Sequence, residues 1–446
     1  ATGTGAGTDL AESACADCSR PEPDHSDTYC TTRDRWEPGI WPDRFPAGPG
    51  DCHHAGRGSS FRCAPGPPGI ARCLETVHCD CLVAGGHGDA HPHRLEFVLT
   101  GRSAVLPFEQ WRSEVGDPSA QALLCREQAG LFDFSFMHIA RASGPGAATV
   151  LTNYLARDVT GLPVGKLRYG LRLNAVGRIL SDVTIWKIGE NAYDVMSGRR
   201  QDITELLGHQ NSQTHIEELS ARTSIFSIQG PQSLARIVAL CSNEPLSCLD
   251  YFDFCDVIMC GLPVRVGRLG YTGERGFEIV VDTADAARLW QHLSTRVEAA
   301  GFAAADILRI EAGFVLFCNE FSIDVTAQEA AMEKFSGGCC VGAPSALSLV
   351  CFSAQTLKRP VLWQHPEARP VLPKPGEVLV TSACYSPLAG TVLGLGYANT
   401  ADANHRRDLV DPLGEFCNLT LCTRPFFDPE KRVTRGGWGL DFMPHS

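Results

Sequence analysis

The sequence predicts an α+β fold, because two kinds of apolar periodicity recur along one chain. Short runs of alternating polarity are typical of strands, and apolar residues spaced by three and four are typical of helices. The stretch GYTGERGFEI, residues 270–279, shows how such elements are joined, since its three glycines form a turn between two runs of strand character. Helices and strands mixed in this way favour an α+β arrangement.

Composition divides the chain into three parts. Residues 1–90 are rich in Gly, Pro, Cys, His and Arg and have no apolar period, which predicts an irregular tail or a small appended module. Residues 91–345 carry the mixed helix and strand patterns. Residues 346–446 are rich in strand and turn signals and predict a small β-barrel-like or sandwich domain.

The individual elements follow from local patterns. In chain order the predictions are a helix at 121–130 ended by Gly130, a helix at 147–155, a β-hairpin at 167–188 that turns at 175–177, a strand at 224–229 followed by a helix, and an amphipathic helix at 284–299. The last helix is predicted because five apolar residues fall on one helical face: Ala286, Leu289, Trp290, Leu293 and Val297.

The net charge of −12 argues against nucleic acid or a membrane surface as a partner, because both attract clustered Lys and Arg. No apolar run approaches the ~18 residues that a membrane span needs. The first ten residues lack the basic and apolar segments of a secretion signal. Twelve cysteines after residue 82 lie in apolar stretches, which favours reduced, buried thiols. The sequence therefore predicts a cytoplasmic protein.

Eight further cysteines precede residue 82, and some of them have the spacing of metal ligands. Cys15 and Cys18 form a CxxC pair, and Cys52 and Cys79 have histidines beside them. A zinc finger or ribbon needs a second CxxC pair, which this segment lacks. The favoured interpretation is a cysteine-rich tail without metal, and zinc binding is the alternative.

Glu278 is a charged residue in an apolar run, and its role needs an explanation. It lies in the apolar run FEIVV, with Phe277 and Ile279 on the opposite face of the predicted strand. A carboxylate inside such a strand is costly unless a hydrogen-bond donor faces it. The pattern therefore predicts either an edge position that faces solvent or a ligand that donates to this side chain.

Six segments in order carry a resemblance to a known family. They are REQAGLFD (126–133), LNAVGRILSD (173–182), IQGPQ (228–232), GYTGERGFEI (270–279), LRIEAG (308–313) and the pair YSP with RPFFD (385–387 and 424–428). Together they resemble the glycine-cleavage T-protein family, the folate-dependent aminomethyltransferases, over roughly residues 95–435. The resemblance implies a three-part cloverleaf around a central folate site, with a β-barrel-like C-terminal domain.

The resemblance also implies that Glu278 binds the pterin ring of tetrahydrofolate. A reduced pterin presents its N3–H and 2-amino donors side by side, and a carboxylate accepts such a pair in bidentate fashion. Tyr271 matches a family tyrosine that lines the same site. Tyr169, Met137 and Phe252 match, or lie near, other pterin-lining positions. Each of these side chains would equally suit an apolar core.

Asp182 is the candidate catalytic residue. It lies among apolar residues of the predicted hairpin, and the matching family aspartate sits near the folate nitrogens that carry the one-carbon unit. Transfer of that unit develops positive charge, which a fixed anion stabilises, and a carboxylate can also orient or activate the attacking nitrogen. The alternative is a hairpin aspartate that is hydrogen-bonded to backbone.

Three positions depart from the family pattern. Phe136 stands where the first motif has a histidine, Gly198 stands at the place of an asparagine, and Ala305 stands where an arginine helps to hold folate. The last change removes a charged donor from the surroundings of the cofactor.

The resemblance leaves three functions open. The favoured one is a tetrahydrofolate-dependent one-carbon transferase that acts on a small methyl or aminomethyl donor, with a lipoyl carrier protein or a flavoprotein as partner. A non-catalytic, folate-binding iron–sulfur assembly factor is the second, although segment 338–342 keeps only the glycines and one cysteine of that branch's motif. A pseudoenzyme of the same fold is the third, and the substitutions at 198 and 305 suit it.

Overall fold

The computed structural model describes residues 116–242, 246–337, 345–356, 362–367, 370–403, 409–422 and 424–438. The cysteine-rich segment at 1–90 and the connection at 338–344 lie outside this set, so the tail, its zinc alternative and the domain boundary near residue 345 stay predictions. Within the described part of the chain, no helix combines the length and apolarity needed to cross a bilayer.

Ten of the twelve cysteines predicted to be reduced lie in the described residues, and all ten are free thiols. Cys125, Cys351 and Cys384 are buried, as expected. Cys248 and Cys417 are exposed, so the prediction of burial is wrong for these two. Cys248 lies in a surface turn and Cys417 begins an edge strand, where one side of the chain meets solvent.

Eight α-helices occur in the described residues. They are α1 (Pro118–Glu127), α2 (Ala147–Tyr154), α3 (Arg200–Leu207), α4 (Ser233–Ile237), α5 (Thr283–Ser294), α6 (Phe302–Glu311), α7 (Phe317–Glu320) and α8 (Arg432–Arg435). Single 3-10 turns add Ser220–Arg222, Val238–Leu240, Leu246–Cys248 and Glu333–Phe335. Asp117 and Asp282 fix where α1 and α5 begin, because their carboxylates accept backbone N–H bonds from Ser119 and Ala284 at 3.0 and 2.8 Å.

The first of three sheets has six strands. In spatial order they are β11 (Glu298–Ala299), β1 (Gly130–Asp133), β7 (Thr223–Gln229), β10 (Gly276–Asp282), β9 (Leu262–Gly267) and β8 (Phe254–Met259), numbered along the chain. All neighbours are antiparallel except β11 and β1. The glycine-rich turn joins β9 to β10, and Glu278 pairs with Gly267 across this hairpin. The predicted strand–turn–strand arrangement is confirmed.

The second sheet has five antiparallel strands. Their spatial order is β3 (Leu167–Leu173), β4 (Ile179–Gly189), β5 (Ala192–Ser197), β2 (His138–Ser143) and β6 (His215–Glu218). The predicted hairpin is β3–β4, and the side-chain oxygen of Asn174 closes its turn by accepting from the N–H groups of Val176 and Arg178 at 3.0 and 2.9 Å. In this hairpin Leu171 pairs with Asp182.

The third sheet confirms the β-rich character of the C-terminal part. Its spatial order is β13 (Leu362–Gln364), β14 (Val378–Ser386), β15 (Thr391–Asn399), β12 (Leu347–Gln355) and β16 (Cys417–Cys422), all antiparallel. The edge strands β13 and β16 do not pair with each other in the described residues. The sheet is therefore open there, and closure into a barrel is not confirmed.

Two helix boundaries differ from the predictions. The helix predicted at 121–130 begins at Pro118 and ends at Glu127, and Gly130 opens β1 instead of ending the helix. The helix predicted at 284–299 ends at Ser294, because residues 298–299 pair with β1 as β11. Residues 298–299 thus form a strand because their backbone pairs with β1, although the helical period also fits them. The helix predicted at 147–155 is confirmed to within one residue.

One apolar cluster lies where the three sheets meet. It takes Phe132 and Leu269 from around the first sheet, Trp186 and Met196 from the second, and Cys384 from the third, together with buried residues of α6. Because the three sheets contribute to one cluster, side chains from distant parts of the sequence face one another in this region.

Candidate functional site

Asp182 and Tyr169 form one unit on the second sheet. Tyr169 pairs with Thr184, two residues after Asp182, so both side chains project from the same face of the β3–β4 hairpin. The Tyr169 hydroxyl donates a hydrogen bond to the Asp182 carboxylate. Burial raises the pKa of Asp182 to about 6, and this hydrogen bond opposes the rise. Asp182 is therefore largely ionised at neutral pH, in a desolvated position with a fixed donor.

Tyr271 lies beside this pair. Its hydroxyl donates to the carbonyl oxygen of Val315 at 2.6 Å, and its ring stacks on Phe314 with centroids 6.0 Å apart. Burial is the main reason that the pKa of Tyr271 lies well above its usual value, and the negative charge of Asp182 also contributes. The structure thus brings Tyr271 within electrostatic reach of Asp182.

Glu278 is buried, and no residue in the described part of the chain donates a hydrogen bond to its carboxylate. The residue is 6% exposed and lies in β10 between Ser227 of β7 and Gly267 of β9. Burial raises the pKa of this carboxyl to about 7. The interpretation as an edge carboxylate that faces solvent is therefore wrong.

Glu278 and Asp182 face the same interior layer from opposite sheets. Glu278 shares a face with its cross-strand partner Gly267. The ring of Trp186 packs so closely on Gly267 that a methyl group there would clash with it. Trp186 and Asp182 lie four residues apart on one face of β4. The Trp186 side chain therefore connects the surface that carries Asp182 to the surface that carries Glu278.

Met137 and Phe252 pack against the apolar cluster that contains Trp186. Phe252 has a φ angle of 72°, in the left-handed region that aromatic residues rarely adopt. Its N–H donates to Arg268 at 2.9 Å, and its carbonyl oxygen accepts from Leu167 at 2.8 Å. Backbone hydrogen bonds therefore hold Phe252 between the two sheets. Tyr271 packs against the same cluster, whereas Tyr169 packs against a separate apolar cluster.

The three positions that depart from the family pattern lie in apolar surroundings. The Phe136 ring packs edge-on against Phe302 with centroids 5.5 Å apart. Beside Gly198, an added Cβ would lie 2.9 Å from the ring of Phe317. Ala305 is fully buried in α6. None of these three side chains can donate a hydrogen bond to a ligand.

Sequence analysis missed the residues on the far sides of the two tyrosines. Phe335 packs edge-on against Tyr169 with centroids 4.9 Å apart, and the Lys431 Nζ atom lies 4.4 Å from the centroid of Phe314. Local signals exist for Phe314, which follows the LRIEAG motif directly, and for Phe335, whose segment resembles the folate domains of dimethylglycine and sarcosine enzymes. The other contacts join segments far apart in sequence, so no local pattern indicates them.

No metal centre is formed by the described residues, because they contain no group of three or more His, Cys, Asp or Glu side chains arranged to hold an ion.

Comparison with known proteins decides the family. The family model described as GCVT N-terminal domain matches residues 106–337. The chain belongs to this family, that of the glycine-cleavage T proteins. Similar proteins include one named Aminomethyltransferase from Deinococcus deserti, 30% identical over 345 residues that cover 74% of this chain and 94% of the relative.

Two further T-protein relatives support the match. A protein named Aminomethyltransferase from Streptomyces avermitilis is 29% identical over 320 residues, which cover 65% of this chain and 83% of the relative. Among solved structures, the glycine cleavage system aminomethyltransferase T from Bartonella henselae has 25% identity and a TM-score of 0.57, and covers 69% of this chain and 89% of its own. The mixed arrangement of helices and sheets is thus similar to that of a T protein.

Three motifs that carry the T-protein resemblance meet at Arg126. Its guanidinium forms ion pairs with Glu274 of the glycine-rich turn at 3.0 Å and with Glu311 of α6 at 2.9 Å. The Cζ atom lies 3.7 Å from the ring centroid of Phe427 in the C-terminal segment. One buried cation therefore fixes the turn before Glu278 to the helix that leads to Phe314.

Proposed function

We propose that the protein is a tetrahydrofolate-dependent one-carbon transferase. The observation that carries the proposal is the carboxylate of Glu278, which is buried, receives no hydrogen bond from the described residues and has a raised pKa. Such a group is costly unless a ligand supplies donors. Membership of the T-protein family and the names of the relatives support the same cofactor and the same class of reaction.

Glu278 would hold the pteridine ring of the cofactor. The N3–H and 2-amino groups of the ring donate side by side, which fits the two carboxylate oxygens. Ligand donors favour the ionised form, so binding would lower the pKa of Glu278 from about 7. Binding at a pH below that value would therefore release a proton.

Asp182 would supply the fixed negative charge. The cofactor supplies the nitrogen that accepts the one-carbon group. The Tyr169 hydroxyl orients the Asp182 carboxylate, and desolvation strengthens the field of its charge. This charge would stabilise the positive charge that develops on the transferred group, and one Oδ atom would take up or return a proton.

Four apolar or amphipathic side chains would form the walls of the site. Tyr169 and Tyr271 would border the reacting region beside Asp182, and Met137 and Phe252 would exclude water from the ring held by Glu278. Such walls keep the two carboxylates in a low-dielectric region, which strengthens their interactions with the ligand.

The donor and the partner are part of the proposal. The relatives' name, aminomethyltransferase, favours an aminomethyl group as the unit transferred, and a lipoyl carrier protein would present it. A small methylated compound is the alternative donor, and any oxidation that it needs would require a flavoprotein partner. The ten free thiols suit a reducing compartment such as the cytoplasm.

A pseudoenzyme of the same fold, which has lost folate function, is the second candidate. The apolar surroundings of Gly198 and the buried Ala305 favour it, because both positions lack a polar group that would hold the cofactor. The iron–sulfur assembly alternative depends on Cys339 and Cys340, which lie outside the described residues.

Calorimetric titration of the full chain with tetrahydrofolate tests the cofactor site. We expect binding by the wild type and a loss of about 100-fold in affinity for Glu278→Gln, since a bidentate, charge-assisted pair of bonds is replaced by weaker ones. Glu298→Gln, an exposed glutamate of β11, is the matched control and should bind as the wild type does. Absence of binding by the wild type would overturn the proposal.

A turnover assay separates the two candidates. With a charged lipoyl carrier as donor, we expect Asp182→Asn to bind tetrahydrofolate normally and to lose about 100-fold or more in kcat, because the fixed charge is removed without a change in shape. Absence of both binding and turnover in the wild type would support the pseudoenzyme, and binding without any turnover, across lipoyl and methylated donors, would support the folate-binding assembly factor.

A further inference from the structure

Cys351 and Cys422 occupy opposed positions on neighbouring strands of the third sheet. Cys351 lies in β12 and Cys422 ends β16, and the register of this antiparallel pair places the two residues directly opposite each other. Opposed residues of antiparallel strands have Cα atoms about 4.5–5.5 Å apart, and a disulfide joins residues whose Cα atoms are about 4.4–6.8 Å apart. The backbone therefore has the spacing that a cross-strand disulfide needs.

Both thiols project from the same face of this strand pair. Phe352 and Leu421, each the neighbour of one cysteine, pair with each other and belong to one apolar cluster. Since successive side chains of a strand alternate between faces, Cys351 and Cys422 lie together on the other face. The Cys422 thiol donates to the Oγ atom of Ser353 in β12 at 3.7 Å, so it extends across the strand pair. A change of its χ1 rotamer directs the sulfur to Cys351 instead.

The two thiols differ in their access to solvent. Cys351 is 1% exposed, and burial raises the pKa of its thiol to about 12. Cys422 is partly exposed, at the end of an edge strand. A small oxidant in solution therefore meets Cys422 first, and Cys351 is the second thiol that completes the bond.

No other two cysteines in the described part of the chain have this relationship. The remaining cysteines that pair with a strand face residues of other types: Cys241 faces Met259, Cys255 faces Val266, Cys384 faces Leu362 and Leu393, and Cys417 faces Gln355. Among the ten free thiols of those residues, the sheet register therefore singles out one pair.

We propose that Cys351 and Cys422 form a redox-sensitive dithiol that a hydroperoxide converts into a cross-strand disulfide. This inference does not depend on the proposed function. In a reducing compartment, a disulfide of this kind forms transiently and reports on oxidant level. A dithiol reductant returns it to two thiols by thiol–disulfide exchange.

The reaction takes place in two steps. The Cys422 thiolate attacks the terminal oxygen of the hydroperoxide, the O–O bond breaks, and a sulfenic acid forms while the thiol proton passes to the leaving oxygen. The Cys351 sulfur then attacks the sulfenic sulfur, the S–O bond breaks, and the hydroxyl leaves as water with the Cys351 proton. Two thiols are thus oxidised to one disulfide, and the hydroperoxide is reduced to an alcohol, or to water in the case of hydrogen peroxide, plus one further water.

The bond would fix the edge strand β16 to the sheet. This strand pairs with β12 and lies at the edge of the spatial order, where separation from the sheet costs less than unfolding of the whole protein. Cys422 also lies shortly before Phe427, whose N–H donates to the carbonyl oxygen of Glu311 at 2.8 Å. A covalent link at the end of β16 would therefore restrain the start of the segment that reaches α6.

Peptide mapping of the full chain tests the bond directly. The reduced protein is treated with hydrogen peroxide, alkylated and digested with chymotrypsin, which cleaves at the leucines and phenylalanines that separate Cys351 from Cys340 and Cys422 from Cys417. We expect a cross-linked pair of peptides that contain Cys351 and Cys422 and that separate after reduction. Cys422→Ser should abolish the pair. Cys417→Ser, which removes an exposed thiol of the same strand, is the matched control and should leave it unchanged.

Cys351→Ala provides a second variant, which removes the thiol that completes the bond. Cys422 should then stop at the sulfenic acid after peroxide treatment, and dimedone should label it. In the wild type, disulfide formation should compete with this label and reduce it. A bond from either cysteine to a different cysteine, or oxidation of Cys422 without a bond to Cys351, would overturn the proposal.

Amide hydrogen exchange measures the effect on the edge strand. The amides of residues 417–422 should exchange at least about tenfold more slowly in the oxidised wild type than in the reduced protein, because the cross-link suppresses local opening. Cys422→Ser should show no such difference between the two conditions. Equal exchange in oxidised and reduced wild type would contradict the restraint of β16.

Discussion

The hydroxyl of Tyr169 donates a hydrogen bond to the carboxylate of Asp182, and the two residues lie on neighbouring strands of one hairpin. This bond opposes the effect of burial on Asp182, which raises its pKa to about 6. The balance between burial and one hydrogen bond thus sets the pH range in which the proposed catalytic charge exists.

The first prediction concerns that balance. Tyr169→Phe removes the donor, so the pKa of Asp182 should rise further, by about one unit. Because the ionised carboxylate is the proposed active form, the fall of kcat on the acid side should move to higher pH by the same amount. Tyr271→Phe is the matched control, since its hydroxyl bonds to Val315 instead. If the fall of kcat on the acid side occurred at the same pH in Tyr169→Phe as in the wild type, the prediction would be contradicted.

The second prediction concerns the stability cost of Glu278. Its pKa is raised on folding, so the folded state holds a proton that the unfolded state releases between about pH 5 and about pH 7. Stability of the ligand-free protein should therefore fall as pH rises through this window. Glu278→Gln cannot ionise and should gain about 2–3 kcal/mol relative to the wild type between about pH 5 and about pH 8.

Urea unfolding at the two pH values measures that difference. Glu298→Gln, at an exposed position of β11, should keep the wild-type dependence. If the free energy of unfolding changed with pH equally in Glu278→Gln and in the wild type, the carboxyl would not be desolvated in the free protein. A ligand that donates to Glu278 should offset the destabilisation caused by the buried carboxylate. Saturating tetrahydrofolate should therefore weaken the dependence of wild-type stability on pH.

The hairpin around Glu278 could be predicted from the sequence because its information is local. Alternation assigns Phe277 and Ile279 to one face, which leaves Glu278 on the other. The glycines mark the turn, and a strand pair across such a turn brings Gly267 opposite Glu278. No local sequence pattern predicts the packing of Trp186 onto Gly267, because this contact joins two sheets.

The rest of the site depends on contacts between distant segments. Lys431 contacts the ring of Phe314 from more than a hundred residues away in the chain. The same limit explains the helix predicted to end at residue 299. Its helical period fits, but pairing of residues 298–299 with β1 determines the outcome.

The third prediction concerns Arg126, the cation that joins three motifs. Removal by Arg126→Met would leave Glu274 and Glu311 buried without a counter-charge, which costs about 3–5 kcal/mol. Arg222→Met, which breaks an exposed pair with Glu217, should cost less than about 1 kcal/mol. Urea unfolding compares the two, and equal losses would contradict the role of Arg126 as a buried connection.

The last prediction concerns Gly273, one of the glycines in the turn before Glu278. Gly273 has a φ angle of +81°, and an added Cβ would lie 2.6 Å from the Cβ atom of Ala312 in the segment that follows α6. Gly376 has a φ angle of +84° with nothing within 4 Å, so Gly376→Ala measures the backbone strain alone, about 1 kcal/mol. Gly273→Ala should lose a further 1–3 kcal/mol or so through overpacking. It should also weaken tetrahydrofolate binding, because Ala312 lies just before Phe314, on which Tyr271 stacks. Equal losses of stability in the two variants would show that the turn needs glycine only for its backbone angle, and not for close contact with Ala312.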